Sequence, residues 1–407
     1  MRQLNESHLK KEMTNLNFKA FRFHQQITAG IESAGYSAPT PIQSQAIPKI
    51  LNGCDLMGLA QTGTGKTAAF VLPILHRLLR GQSGHIRALI IAPTRELAEQ
   101  IHQTIEVLGT RTGVRSRAVY GGVSIQPQIQ RLKGADIVVA CPGRLLDHIS
   151  RRTIDLSGLE ILVIDEADQM FDMGFLPDIK RILSHLPQSG RQTLLFSATM
   201  PRQIKRLAND ILINPEVVQV ANETPLETVS HAFYPVAHHL KTALLLKLLR
   251  TEHTGAVLIF TRTKHRAKRL GKKLATAGYA SISLQGNQSQ TQRQEAMNGF
   301  KSGKYQVLVA TDIAARGIDI ANVSHVINFD MPSTSESYIH RTGRTGRAKR
   351  CGDAFTLITE EDQKMVKAIH RFLGTPVEHR TLSDFNYNAP MTATTRRKSQ
   401  SGLAVGH

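Results

Sequence analysis

DLMGLAQTGTGKTAAFVLPILHRLL, residues 55–79, holds three elements in one run. DLMGLA (55–60) is an apolar stretch of single-strand length. The glycine-rich turn AQTGTGKT (60–67) follows it, and AAFVLPILHRLL (68–79) then runs on in a helical pattern. Strand, turn and helix in this order match the phosphate loop G-x-x-x-x-G-K-[ST], with Ala60 in place of the first glycine. Gly63 and Gly65 let backbone N–H groups curl round phosphates at the positive end of the helix, and Gln61, Thr62 and Thr64 belong to the same curl. Lys66 has the reach for the β- and γ-phosphates, and the Thr67 hydroxyl is a Mg²⁺ ligand by type. The stretch implies a nucleotide site.

Working outward, similar apolar runs recur at ALIIAP (88–93), SRAVYG (116–121), DIVVAC (136–141), LEILVID (159–165) and TLLFSAT (193–199), separated by helical patterns such as RELAEQIHQTIEVL (95–108). Runs this apolar are buried on both faces, which implies a parallel sheet covered by helices. After VVQV (217–220) a polar stretch with a proline reads as a linker, residues 221–228. The pattern then restarts with HAFYPV, GAVLIFT, YASISLQG, YQVLVAT, HVINFD and DAFTLIT. The expected organisation is an extension (1–17), one α/β domain (18–220), the linker, a second α/β domain (229–375) and a basic, disordered tail (376–407). The tail carries Arg396, Arg397 and Lys398 and has no acid after Asp384; it either holds nucleic acid nonspecifically or does nothing.

The strand LEILVID delivers a second group, Asp165-Glu166-Ala167-Asp168, to a strand end. Beside a phosphate loop, Asp165 suits Mg²⁺ binding and Glu166 suits orientation or deprotonation of an attacking water. Across all 407 residues Lys and Arg outnumber Asp and Glu by 51 to 32, an excess that favours a polyanionic partner. Aromatics are only 5% with no Trp, which argues against a base-stacking reader and for a holder of the sugar-phosphate backbone. Three cysteines without a CxxC pair, no apolar run of membrane length and a polar amino terminus imply a soluble cytoplasmic setting without disulfides. His231, His238 and His239 lack metal-ligand spacing. Met13 is an alternative start to Met1.

From about residue 18 to 375 the chain resembles the DEAD-box RNA helicases of bacterial type. GYSAPTPIQ (35–43), with Phe18 upstream, is similar to that family's Q motif; PTRELA (93–98), the GG pair at 121–122 and SAT (197–199) resemble motif Ia, the next RNA-contacting turn and motif III. LIFTRTK (258–264), QTQR (290–293), ATDIAARGID (310–319) and HRTGRTGR (340–347) resemble motifs IV to VI. Two tandem RecA-like domains, each a mostly parallel sheet flanked by helices, are what this resemblance implies. It further implies that Gln43, with Phe18 and Tyr36, meets the adenine and that Asp319 touches the ribose or couples motifs. Arg344 and Arg347 become arginine fingers at the γ-phosphate. The second unit lacks a phosphate loop of its own, so it is expected to complete the first unit's site.

The resemblance also implies RNA contacts at Thr94, Arg95, Gly122, Arg144, Arg262, Gly286 and Thr311. Asp168, Ser197 and Thr199 become the coupling element between nucleotide and RNA. The implied activity is ATP- and Mg²⁺-dependent, RNA-stimulated hydrolysis, with local unwinding of short duplexes by a monomer that binds largely without sequence preference. An ATP-gated clamp or annealing chaperone without productive unwinding is the alternative; a transporter or protein-remodelling ATPase lacks its signature or oligomer module here. Two departures stand out: Cys141 replaces the usual threonine of CPGR (141–144), which removes a hydroxyl–phosphate contact, and Gln285 stands where histidine is common in LQGN (284–287).

Overall fold

Short apolar runs satisfy their backbone N–H and C=O groups by laddering with one another, and the apolar runs quoted above all do so. The structure is a computed structural model describing residues 17–61, 63–81, 83–220, 229–251, 255–315, 323–346 and 352–390. It divides into two compact units between Asn222 and Glu223.

In the first unit the strands are β1 (Leu56–Leu59), β2 (Ala88–Ile91), β3 (Ser116–Val119), β4 (Ile137–Ala140), β5 (Ile161–Ile164), β6 (Gln192–Ser197) and β7 (Glu216–Gln219). Their order is β3-β4-β2-β5-β6-β1-β7, and every described pairing is parallel. Parallel neighbours need crossovers, and the helices that supply them bury both faces of the sheet. Alternation along each strand therefore separates two cores rather than core from solvent: Ala88 and Ile90 join one cluster, Leu89 and Ile91 the other. The strand order sets β5, β6 and β1 side by side. Their carboxyl ends, Asp165, Ser197 and Ala60, thus meet at one edge, where ligands of open α/β sheets bind.

The second unit repeats the plan with β8 (Val229–Pro235), β9 (Val257–Phe260), β10 (Ser281–Leu284), β11 (Val307–Ala310), β12 (His325–Asn328), β13 (Gly352–Ile358) and β14 (Glu378–His379), ordered β10-β11-β9-β12-β13-β8-β14. These pairings are parallel too. Here β11, β9 and β12 are neighbours, so Thr311, Arg262 and Asp330 leave one edge together. Among the described residues, no helix is long and apolar enough to cross a membrane.

The carboxyl-terminal boundary differs from the expectation. Residues 376–390 belong to the second unit: Glu378 and His379 pair with Ala232 and Phe233, and the Arg380 N–H donates to the Phe233 carbonyl at 2.8 Å. Leu382, Phe385, Tyr387 and Ala389 then pack on the core formed with Leu244 and Leu248. VEHRTLSDFNY carries no strand-length apolar run, so only its docking partners reveal it. The expected tail beyond 390, the linker 221–228 and the extension through residue 16 lie outside the described residues. Ending the chain after residue 375 should lower the stability of the second domain by roughly 3 kcal/mol relative to an end after residue 390, from lost apolar burial. Urea denaturation of the two truncations measures this; coincident midpoints would refute the boundary.

Candidate functional site

The phosphate loop is built by backbone conformation. Gly63 and Gly65 sit at φ 89° and 94°, in the left-handed region that costs a side-chain-bearing residue free energy. Gly65 caps the helix Lys66–Leu78 without any side-chain cap, leaving its first N–H groups for a ligand. A Cβ on Gly65 would fall 2.6 Å from Gln43 Nε2, so a larger residue would push aside the amide that braces the loop, in addition to straining φ. The Ala60 N–H donates to the Ser197 carbonyl at 3.1 Å, and the Thr64 hydroxyl donates to the Gln61 carbonyl at 2.8 Å. Thr67 is half-buried in the first helical turn.

Lys66 is 5% exposed, yet its ammonium makes no hydrogen bond among the described residues; the Asp165 carboxylate stands 4.0 Å away. Burying an ammonium costs several kcal/mol unless an anion meets it, so this side chain is placed for a phosphate. Asp165 and Glu166 are buried beside it. Burial pushes the Asp165 carboxyl above its usual range, opposed by the Lys66 ammonium and the Glu166 N–H. Glu166 holds the left-handed conformation, φ 52°, at the start of the helix Ala167–Asp172, and its N–H donates to Asp165 Oδ1 at 2.9 Å. A buried cation without a full partner, an adjacent carboxylate and uncapped helix N–H groups fit a nucleotide triphosphate with Mg²⁺.

Gln43 is held at both ends of its carboxamide. Its Oε1 accepts the Thr40 N–H at 2.9 Å, and its Nε2 donates to the Gly65 carbonyl at 3.1 Å. It braces the phosphate loop, a role that sequence reading did not assign, and its second amide hydrogen and lone pair remain for a base edge. Phe18 is buried edge-on to Phe21, with the half-exposed Tyr36 ring 6.2 Å away.

Asp168, Ser197 and Thr199 do come together. The Asp168 N–H donates to Ser197 Oγ at 3.2 Å; that hydroxyl donates to the Thr199 carbonyl at 2.7 Å. Both the Thr199 N–H and its hydroxyl donate to Asp168 Oδ2, at 2.8 and 2.9 Å. The carboxylate segment after β5 is thereby closed onto the loop after β6.

Three of the four backbone-contact candidates in this unit converge as well. Gly122 has φ 78°, and the Arg95 guanidinium lies where its Cβ would stand, 2.0 Å from Nη1. Arg144 Nη2 donates to the next carbonyl, Val123, at 2.9 Å. Thr94 is buried as the cap of the helix Arg95–Leu108, its hydroxyl accepting the Leu97 N–H. Cys141 precedes the helix Pro142–Ser150 without a side-chain cap, and burial, with Glu96, pushes its thiol up to about 12 against the pull of Arg95. It is a neutral, weak donor.

In the second unit Arg262 is exposed, Thr311 is buried, and Gly286 lies in an exposed turn. Gln285 turns inward, its Oε1 accepting the Asn287 N–H at 2.7 Å, so it shapes that turn. Arg341 is committed to structure: it forks onto Asp312 at 2.6 and 2.7 Å, bonds Asn328 Oδ1 and the Asp330 carbonyl, and lies 5.0 Å over the Phe260 ring. Arg344 is buried in the turn that follows, 3% exposed. Asp330, missed in the sequence, accepts the Arg262 N–H at 2.8 Å and Arg266 at 2.5 Å. Its signal was an acid ending an apolar strand, as at Asp165. Thr62, Asp319 and Arg347 lie outside the described residues, and among the described residues no His, Cys, Asp and Glu cluster suits a metal by itself.

Comparison with known proteins follows the same two units. Residues 40–207 match the DEAD/DEAH box helicase family, and residues 240–349 match the helicase conserved C-terminal domain. The chain is 44% identical over 358 residues to the DEAD-box ATP-dependent RNA helicase CshA of Bacillus subtilis, covering 88% of this chain and 72% of that protein. It is 42% identical over 374 residues to RhpA of Helicobacter pylori, another DEAD-box ATP-dependent RNA helicase, covering 91% and 75%. The solved structure of S. cerevisiae Dbp5 bound to RNA and ADP BeF3 is similar with a TM-score of 0.81 and 29% identity, covering 90% of this chain and 96% of that one.

Two substitutions separate positioning from binding. Gly122→Ala puts a Cβ at a strained φ and displaces the Arg95 guanidinium, so affinity for single-stranded RNA should fall about tenfold while nucleotide affinity holds; fluorescence anisotropy and nucleotide titration check it, and unchanged RNA affinity would sink it. Arg341→Ala strands Asp312 and should destabilise the second domain by about 3 kcal/mol in urea denaturation.

Proposed function

The chain belongs to the DEAD-box ATP-dependent RNA helicases, and we propose that it couples ATP hydrolysis at Lys66, Asp165 and Glu166 to clamping and local opening of short RNA duplexes or remodelling of RNA–protein assemblies. The observation that carries this reading is the bonded bridge Asp168–Ser197–Thr199, which ties the segment of the catalytic carboxylates to a loop that also anchors Ala60 of the phosphate loop. A change at the γ-phosphate thus has a short covalent and hydrogen-bonded route out of the site.

Each residue has a defined task. Lys66 binds the β- and γ-phosphates; Thr67 and Asp165 are the residues to hold Mg²⁺. Bound Mg²⁺ supplies charge neutralisation at the phosphate oxygens. Glu166 holds the attacking water and takes its proton. Gln43, with Phe18 and Tyr36, receives the adenine; Ala60 to Gly65 wrap the phosphates. From the second domain Asp319 serves the ribose, and Arg344 and Arg347 stabilise charge on the transferred phosphoryl group. Thr94, Arg95, Gly122 and Arg144, with Arg262, Gly286 and Thr311, hold the RNA backbone, so recognition is largely independent of sequence. ATP and RNA then favour one closed state and strengthen each other's binding by linkage. Two domains of one chain need no second subunit to complete a composite site, so we read the enzyme as a monomer, acting in the cytoplasm.

Steady-state ATP hydrolysis with and without RNA tests the coupling. Hydrolysis should be strongly RNA-stimulated; Glu166→Gln should abolish it, and Arg344→Ala should cost about 10³-fold or more. Hydrolysis indifferent to RNA, or an Arg344→Ala enzyme as fast as the parent, would overturn the coupled mechanism.

A further inference from the structure

The second domain carries a shallow concavity open to solvent, lined by none of the site residues assigned above, between the helices Lys241–Thr251 and Lys264–Thr276. Leu270 and Phe329 line it with apolar surface, and its polar lining comes from His238, Thr242, Arg266, Arg269 and Lys273. We propose that this concavity is a phosphate-binding subsite, which takes a phosphate group either of RNA backbone flanking the motif contacts or of a free phosphorylated compound.

The charge distribution carries the inference. The helix Lys264–Thr276 bears Lys264, Arg266, Lys268, Arg269, Lys272 and Lys273 and no acid. Positions 266, 269 and 273 fall three and four apart, so these three cations share one face, and that face is the wall of the concavity. Like charges at this spacing repel. None of the lining residues is acidic, and among the described residues no carboxylate pairs with Arg269 or Lys273. Of the carboxylates that act on this wall, Asp330 is turned to Arg266 and the Arg262 N–H, and Glu361 faces His238. Opposite, Thr242 offers a hydroxyl and His238 an imidazole, whose Nε2 lies 3.3 Å from Arg266 Nη2. Burial, then Arg266 and Lys241, holds His238 below its usual pKa against Asp330 and Glu361. Cations, a hydroxyl and an imidazole over an apolar floor match the oxygens of a phosphate better than any cationic or apolar ligand.

The site also has a path to the RNA surface. Asp330 grips Arg266 with one oxygen and the Arg262 N–H with the other. A phosphate drawing on Arg266 therefore acts on the residue that positions a proposed RNA contact. For the RNA source, this rests on the function proposed above; for a free phosphate it does not.

The test uses the full chain and the double variant Arg269→Ala/Lys273→Ala, two exposed positions outside the assigned machinery. Affinity is measured over a range of salt for a short single-stranded RNA and for one longer by ten nucleotides. Pyrophosphate is titrated separately while the His238 ring resonances are followed by NMR. With flanking RNA as the source, the variant binds the longer RNA several-fold more weakly, its salt slope falls by about 0.7 per lost phosphate, and the short RNA is unaffected. With a free phosphorylated compound as the source, pyrophosphate shifts the His238 resonances saturably in the parent, not in the variant, and RNA binding is equal. Equal affinities and slopes for both RNAs together with unmoved His238 resonances overturn the subsite. A parent chain that bound no RNA would overturn the function proposed above, and the pyrophosphate arm would still decide the subsite.

Discussion

A buried ammonium that lacks a full partner is the constraint on which the first domain turns. Lys66 is enclosed almost as completely as the leucines around it, and Asp165 at 4.0 Å compensates its charge only in part. Such a group is tolerated because the surrounding scaffold cannot relax away from it. Parallel strands fix Ala60, Ser197 and Asp165 as neighbours, Gly65 leaves room for Gln43, and Gln43 in turn holds the Gly65 carbonyl. Each of these features preserves one cavity shape in which a phosphate is the missing charge.

The second domain solves the opposite problem with the same sheet. There a buried cation, Arg341, is held by Asp312, Asn328 and the Asp330 carbonyl, and it lies over Phe260. It holds the ends of β9, β11 and β12 in register, and Arg344 follows it by one turn. The arginine repeat of HRTGRTGR therefore divides its labour: the first member builds the platform, and the next is carried by it. Equal spacing in the chain conceals this division because guanidiniums are alike in sequence and differ only in what surrounds them.

The two departures from the family pattern have physical readings. Cys141 keeps the helix entry but contributes a thiol held neutral by burial in place of a hydroxyl. Gln285 supplies an acceptor to the Asn287 N–H, closing the turn from within. Both substitutions keep the local turn or helix entry while changing the polar atoms on offer.

Sequence alone made most strands, the two α/β units and the phosphate loop legible, and it marked Asp165 and Glu166 as candidates, because each rests on local chemistry: apolar period, glycine at positive φ, and an acid at a strand end. The segment 376–390 escaped it, since Glu378–His379 is a strand only by pairing with β8, and Phe385 and Tyr387 are core residues only by docking. Asp330 and the bracing role of Gln43 escaped it for a related reason. Their partners, Arg262, Arg266 and Gly65, lie far along the chain and approach only when the sheet orders its strands. Hydrogen bonds and ion pairs act over a few ångströms of space, whatever the separation in sequence. Residue type and spacing therefore announced which groups could do chemistry, and tertiary structure decided which of them were left to do it.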